Sequence, residues 1–243
     1  SYLAYFSVPA PQTIYRRVRC LQPGHCAKWK GGRLTIRQFW DLQPENITRD
    51  DVCTSYDEFV PKLRKQLENS VQAHAVSDVR VGAFLSGGLD SSGITALLSR
   101  QSDQRLATFT LGFGEEGFAE QEFARDTAKH LGTDHHEFQL TGEEVVKSLP
   151  DILSRMDQPT GDGINTYFAS KLAAQAGVKV VLSGLGGDEI FGGYPSFRHV
   201  PRLKQYLPWW NRLPLPLRKA IITRMRRKGE GRSQKLADFL EHA

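Results

Sequence analysis

Two stretches of this chain combine hydroxyls, glycines and carboxylates in patterns suited to phosphate chemistry. The first is Ser86-Gly-Gly-Leu-Asp-Ser-Ser92, and the second is Ser183-Gly-Leu-Gly-Gly-Asp-Glu-Ile-Phe-Gly-Gly-Tyr194. In the first, paired glycines let the backbone turn sharply and approach a ligand without Cβ interference. The hydroxyls of Ser86, Ser91 and Ser92 add donors, and Asp90 is a carboxylate of the kind that holds Mg²⁺. A Walker A loop would carry Lys followed by Ser or Thr after its glycines, and this loop does not. The second stretch repeats the logic with a serine, glycines and then Asp188 and Glu189. Two carboxylates from separate loops, Asp90 and Asp188, would converge on Mg²⁺ and on pyrophosphate oxygens. The alternative left open is that Asp188 and Glu189 only cap the next helix.

Such loops need strands behind them and helices ahead. Val79, Val81, Ala83 and Leu85 alternate as in a buried strand, and a helix follows with Ile94, Leu97 and Leu98 on one face. Strand, glycine turn and helix N-terminus together aim free N–H groups and a positive dipole end at an anion. Upstream, Ser55-x-x-Glu58 is a capping-box signature, with Tyr56, Phe59, Leu63, Leu67 and Val71 at helical spacing through about Val76. Downstream, strands are expected at Leu106–Gly112 (then a glycine-bearing loop through Gly117), Thr133–Leu140 and Val178–Leu182, the last short enough to be buried. Helices are expected at Glu120–Leu131, from Thr141-x-x-Glu144 with Val145, Leu149, Ile152, Leu153 and Met156 inward, and at Ile164–Ala176. This alternation implies an α/β fold, a doubly wound, mostly parallel sheet with helices on both faces. Ligands of such sheets bind beyond the carboxyl ends of the strands, where both glycine loops fall.

Residues 1–42 read as short strands and turns, with an edge hairpin around Gly31-Gly32, and polar residues from Gln43 suit a linker. At 243 residues and 40% hydrophobic, the chain can bury one sizeable core and a small second lobe. It has no apolar run long enough to span a membrane. Cys20, Cys26 and Cys53 are odd in number and fit no zinc spacing, so reduced thiols in a cytoplasmic protein are expected. The start at Ser1, with no initiator Met and no basic flank, reads as a fragment. From Arg198 to Lys235 twelve Lys/Arg face a single acid, Glu230. Apolar residues such as Leu213, Leu215, Leu217, Ile221 and Ile222 interleave these charges. That favours amphipathic helices with a solvated or packed face over a nucleic-acid footprint.

The loop S-G-G-L-D-S resembles the pyrophosphate loop of N-type ATP pyrophosphatases, which include asparagine, GMP, NAD and argininosuccinate synthetases. With Gly132-Thr-Asp-His-His-Glu137 and the 183–194 stretch, roughly residues 55–200 resemble the synthetase domain of glutamine-hydrolysing asparagine synthetases. The segment from Tyr2 to Leu42, with V-P-A-P-Q-T-I-Y, L-Q-P-G-H and F-W-D-L, resembles the last strands of that family's glutaminase domain. The resemblance implies a glutaminase remnant at 1–42, a linker at 43–54 and an ATP-binding synthetase domain (adenine nucleotide α-hydrolase-like) at 55–243, truncated at its end. It also implies that Ser86, Gly87, Gly88, Asp90, Ser91 and Ser92 cradle the ATP phosphates. Asp90 and Asp188 would hold Mg²⁺ as the catalytic carboxylates, while Phe84, Leu111, Ser183 and Gly184 line the adenosine pocket. The implied reaction is attack of a carboxylate, most simply aspartate, on the α-phosphate, and displacement of AMP by ammonia drawn from glutamine. The missing glutaminase and C-terminal regions are the implied partners, and a homodimer is compatible.

Two departures stand out. Leu185 occupies a position where asparagine synthetases proper usually carry Glu, and the chain ends before a downstream catalytic Lys has a counterpart. Ser1 cannot replace the N-terminal nucleophilic cysteine of the glutaminase domain. His135 and His136 are expected to be structural. Two further readings stay open: a relative that activates another carboxylate, as β-lactam-forming synthetases do, and a non-catalytic nucleotide- or RNA-binding module.

Overall fold

The structure is a computed structural model that describes residues 2–42, 52–53, 55–102, 104–113, 118–227 and 231–241. Most of the expected linker at 43–54, and the loop through Gly117, lie outside the described residues. The chain divides into two compact units, Ser1–Gly184 and Leu185–Ala243.

The first unit opens on a short helix, α1 (Tyr2–Tyr5), where only strands and turns were expected. A hairpin follows, β1 (His25–Lys30) and β2 (Arg33–Gln38), paired antiparallel with Lys30 opposite Arg33. Gly31 and Gly32 form its tip at φ +57° and +77°. Two successive positive-φ residues give the turn whose twist matches the strands. The hairpin is exposed over nearly its whole length, Trp29, Leu34 and Ile36 included. A lone two-stranded ribbon of this kind is marginally stable in water.

Next comes α2 (Tyr56–His74), whose N-cap Ser55 accepts the Glu58 N–H while the Glu58 carboxylate takes Lys62. Its C-terminal half packs through Val71. Tyr56 and Phe59, which share its helical spacing, are exposed. Then β3 (Val81–Phe84), β4 (Ala107–Phe113), β5 (Asp134–Leu140) and β6 (Val180–Leu182) form one parallel sheet in the order β5-β4-β3-β6. Between them run α3 (Leu89–Gln101), α4 (Phe118–Leu131), α5 (Gly142–Arg155) and α6 (Gly163–Gln175).

Alternating side chains send the sheet's two faces to different helices. Ala83 packs with Val71 of α2 and Leu98 of α3, and Leu85 with Ala124 and Ala128 of α4. Ala107 and Phe109 face Ala173 of α6 and Val178, with Phe84 beside them. On α5, Thr141 completes a full capping box with Glu144. Ile152 is buried there, whereas Leu153 is 65% exposed, because neighbours on a helix point about 100° apart and one of them must leave the core. Two strand expectations also shift. Val79 lies outside β3 and is exposed, and β6 is a half-buried edge strand, not a buried one.

The second unit holds α7 (Gly187–Phe191), α8 (Pro195–Arg212), α9 (Leu215–Arg227) and α10 (Gly231–Glu241). Trp210, Ile222 and Ala237 form its core, and the Trp210 indole N–H donates to the Leu240 carbonyl. Arg226 pairs with Asp238 and Glu241, tying α9 to α10. Leu215 and Leu217 are exposed, so the apolar side of the basic segment is narrower than its sequence suggested. Among the described residues, no helix is long and apolar enough to cross a membrane.

Candidate functional site

The chain winds from β3 outward to β5 and then returns to place β6 on the other side of β3. That reversal is the switch point where open α/β sheets bind ligands. Both serine–glycine loops leave from it, one after β3 and one after β6, with Ala83 paired to Leu182.

The first loop is built from the backbone up. Leu85 N–H bonds the Phe109 carbonyl at 2.9 Å, and the Thr110 hydroxyl donates to the Leu85 carbonyl, so the strand end is tied twice to β4. Gly87 then takes φ +81°. The Ser91 hydroxyl, buried, sits across the loop within 3.2 Å of the Ser86 N–H and the Gly88 carbonyl and 2.9 Å from the Ser86 hydroxyl. Below it, Thr95 donates to the Ser91 carbonyl at 2.7 Å. Gly88 is the N-cap of α3 and provides no side-chain cap. The first-turn amides of α3 therefore receive no side-chain cap, and free amides at a helix start carry the positive end of its dipole.

Ser86 is exposed and Ser92 half-buried, so the loop keeps hydroxyls at its surface while Ser91 braces it from within. Gly184 is the contact between the loops, since a Cβ there would stand 2.6 Å from the Ser91 nitrogen. Only bare backbone fits. Asp90 lies half-buried in the first turn of α3. Phe84 and Leu111 turn toward apolar core on the α6 side of the sheet, and Ser183 is exposed beyond β6. Asp188 belongs to the second unit, exposed in the first turn of α7. Thr95 and Thr110 were missed in the sequence. Their one signal is a hydroxyl placed among residues that otherwise face the core.

A family profile described as Asparagine synthase matches residues 62–242. The chain belongs to the asparagine synthase family. A putative glutamine-hydrolysing asparagine synthetase of Mycobacterium tuberculosis is 39% identical over 220 residues, 88% of this chain and 32% of that protein. A glutamine-hydrolysing asparagine synthetase of Bacillus subtilis is 35% identical over 226 residues, 91% of this chain and 34% of its own length. The chain thus spans about a third of the length of these curated relatives. Among solved structures, an NMN synthetase from Francisella tularensis overlaps 60% of this chain and 61% of its own at 16% identity. The TM-score of 0.39 marks that overlap as slight.

In this asparagine synthase-family chain the paired histidines sit away from the loops, in β5. His135 Nδ1 lies 2.9 Å from the Thr108 hydroxyl, which in turn meets the Thr133 hydroxyl at 2.8 Å. Its Nε2 is 3.2 Å from Glu137, close enough for attraction but poorly aligned for a hydrogen bond. His136 stacks on Phe109. Burial pushes the His135 imidazolium pKa down against the pull of Glu137, and hydrogen bonds from Arg125 hold the Glu137 carboxyl low.

Both shifts have the same consequence in acid. The unfolded chain takes up the His135 proton first, so stability falls as pH drops through about 6.5, the ordinary histidine value. The Glu137 contribution is present above the ordinary carboxylate range and is lost below it, as pH falls toward its depressed folded value. Melting temperature should therefore decline between pH 7.5 and 5.5 and then more steeply toward pH 4. A His135→Gln variant should flatten the first part of that decline; an unchanged slope would remove His135 from the account.

Proposed function

We propose that this chain carries the nucleotide-binding and carboxylate-activating part of an ATP-dependent, amide-forming ligase. The observation that carries this reading is the contact of Gly184 with the Asp90–Ser91 peptide, which seats the chain leaving β6 on the opening turn of α3. In this reading the amides opening α3, with the Ser86 and Ser92 hydroxyls, hold the β- and γ-phosphates. Backbone around Phe84, Leu111, Ser183 and Gly184 borders the adenosine. An acceptor carboxylate attacks the α-phosphate, pyrophosphate leaves toward the α3 N-terminus, and ammonia displaces AMP from the acyl-adenylate. The preorganised amides stabilise charge growing on the departing pyrophosphate.

Asp90, half-buried in the first turn of α3, is a carboxylate suited to a magnesium ion, and Asp188, exposed in the first turn of α7, is a separate candidate of the same chemistry. Among the described residues neither carboxylate has an ion-pair partner, and no cluster of three or more ligating side chains competes for the role. Magnesium is commonly held by one or two carboxylates together with substrate phosphates, a role open to either residue. When bound, it would neutralise phosphate charge and polarise the bond to be cleaved.

Aspartate is the favoured acceptor on family grounds, and glutamine the favoured ammonia source. A second reading, another acceptor acid, is supported by Leu185, which puts an 86%-exposed apolar side chain in the second loop. The exposed hairpin of β1 and β2 supports reading residues 1–42 as the end of a glutaminase domain. Calorimetry of this chain with ATP and Mg²⁺ should show weak, saturable binding with little AMP or pyrophosphate formed. Fusion to the rest of a relative's synthetase domain should restore turnover, and a panel of acids in ATP–pyrophosphate exchange would identify the acceptor. Absence of any ATP binding by the folded chain would refute the reading.

A further inference from the structure

The segment that follows α7 does something its glycines alone do not announce. Gly192 closes the short helix in the left-handed region at φ +66°, and the Gly193 N–H returns to the Asp188 carbonyl at 3.0 Å. The fold-back lays the Gly193 Cα against the Asp188 carboxylate. A Cβ on Gly193 would stand 1.8 Å from Asp188 Oδ1 and 2.9 Å from its Cγ. Gly193, unlike Gly192, has an ordinary φ, so the backbone itself would accept alanine. Glycine is required at 193 for the neighbouring carboxylate and not for its own conformation. One residue on, Tyr194 donates its hydroxyl to Glu189 Oε1 at 2.8 Å and stacks on Phe197. The carboxylate beside Asp188 is thereby engaged elsewhere.

We propose that Gly193 is a positioning residue for Asp188, its missing side chain forming the seat that holds the carboxylate in its metal-binding orientation. The proposal rests on the reading of Asp188 as a magnesium ligand. It concerns a single contiguous turn, Gly187 to Tyr194, and so depends only on local geometry.

The physics separates function from stability. The atom a Cβ would strike is the far end of a rotatable side chain, so Asp188 can swing aside at little cost to the fold. Swinging aside removes an oxygen from the metal, and groups that orient metal ligands are commonly worth about tenfold or more in affinity. The test is an electron paramagnetic resonance titration of Mn²⁺ in the presence of ATP. It would compare the parent chain, Asp188→Asn, Gly193→Ala and the double variant, with thermal melts of each. Expected is a loss of about tenfold or more in Mn²⁺ affinity for Gly193→Ala at an almost unchanged melting temperature, with no further loss in the double variant beyond Asp188→Asn. If Asp188→Asn itself leaves Mn²⁺ affinity at the parental value, the metal-ligand reading fails. If Asp188→Asn weakens Mn²⁺ but Gly193→Ala does not, or the two losses simply add, the positioning role is overturned while the ligand reading stands.

Discussion

A Gly87→Ala chain should melt several degrees below the parent and lose measurable affinity for Mg²⁺·ATP. Two independent penalties fall on that one methyl. Gly87 sits at φ +81°, a conformation that costs an L-residue roughly 1–2 kcal/mol. Its Cβ would also stand 2.4 Å from the Glu120 carbonyl oxygen and 3.1 Å from the Ala124 nitrogen, both backbone atoms of α4. Backbone cannot rotate out of the way as a side chain can, so either α4 shifts off the sheet or the loop moves. With Leu85, Ala124 and Ala128 packed directly beneath, the loop is the part that yields. Its displacement turns the amides of α3 away from the phosphates. A combined cost of at least about 2 kcal/mol corresponds to a melting shift of roughly 4–8 °C for a chain this size. Calorimetric melting and ATP titration on the same sample check both parts. A variant that binds ATP like the parent would show that the loop is not the phosphate site.

Asp90→Asn should do the reverse, sparing the fold and removing the chemistry. The Asp90 side chain makes no hydrogen bond or ion pair with other described residues, so its replacement by an equal-sized amide disturbs no contact of the loop. What it removes is a negative charge at the α3 N-terminus, where the proposed ion must meet the phosphates. In a chain extended to full length, adenylate formation with any acceptor should fall by two orders of magnitude or more. That equals about 3 kcal/mol of transition-state stabilisation, comparable to the loss of one oxyanion-hole donor. Pyrophosphate release with aspartate and ammonia measures it, with Leu185→Glu run alongside. The Leu185 variant should leave Mg²⁺·ATP binding nearly intact, because its effect is expected on the acceptor. Parental activity in Asp90→Asn would dismiss Asp90 as a metal ligand.

Much of the sheet was legible because its signals are local. Alternation around Ala83 and Leu85, the Thr141–Glu144 cap and the Gly31-Gly32 tip each depend on residues within a few positions of one another. Errors came where position within the sheet decides exposure. Val178–Leu182 has the composition of a buried strand, yet edge placement leaves β6 half covered, and edge or centre is set by topology. Likewise Leu153 and Ile152 are equally apolar, and only the packing of α5 against Leu140 of β5 and Phe168 of α6 selects between them. At the site, motif residues were legible and their supports were not. Thr95 and Thr110 act through carbonyls of Ser91 and Leu85, partners that no spacing rule points to. The roles of Gly87 and Gly184 as points of close approach needed the positions of α4 and of the start of α3.

The edge placement of β6 also bears on how the site opens. Its three residues are half exposed and pair with β3 across roughly a hundred residues of intervening chain, a long closure for so few hydrogen bonds. Short peripheral strands of this kind belong to the low end of the local-stability range and exchange their amide hydrogens soonest. Yet β6 carries the loop that Gly184 presses against α3. A ligand that held Gly184 against the start of α3 would therefore act as a latch on this edge of the sheet, and part of its binding energy would appear as slower hydrogen exchange at Val180, Val181 and Leu182.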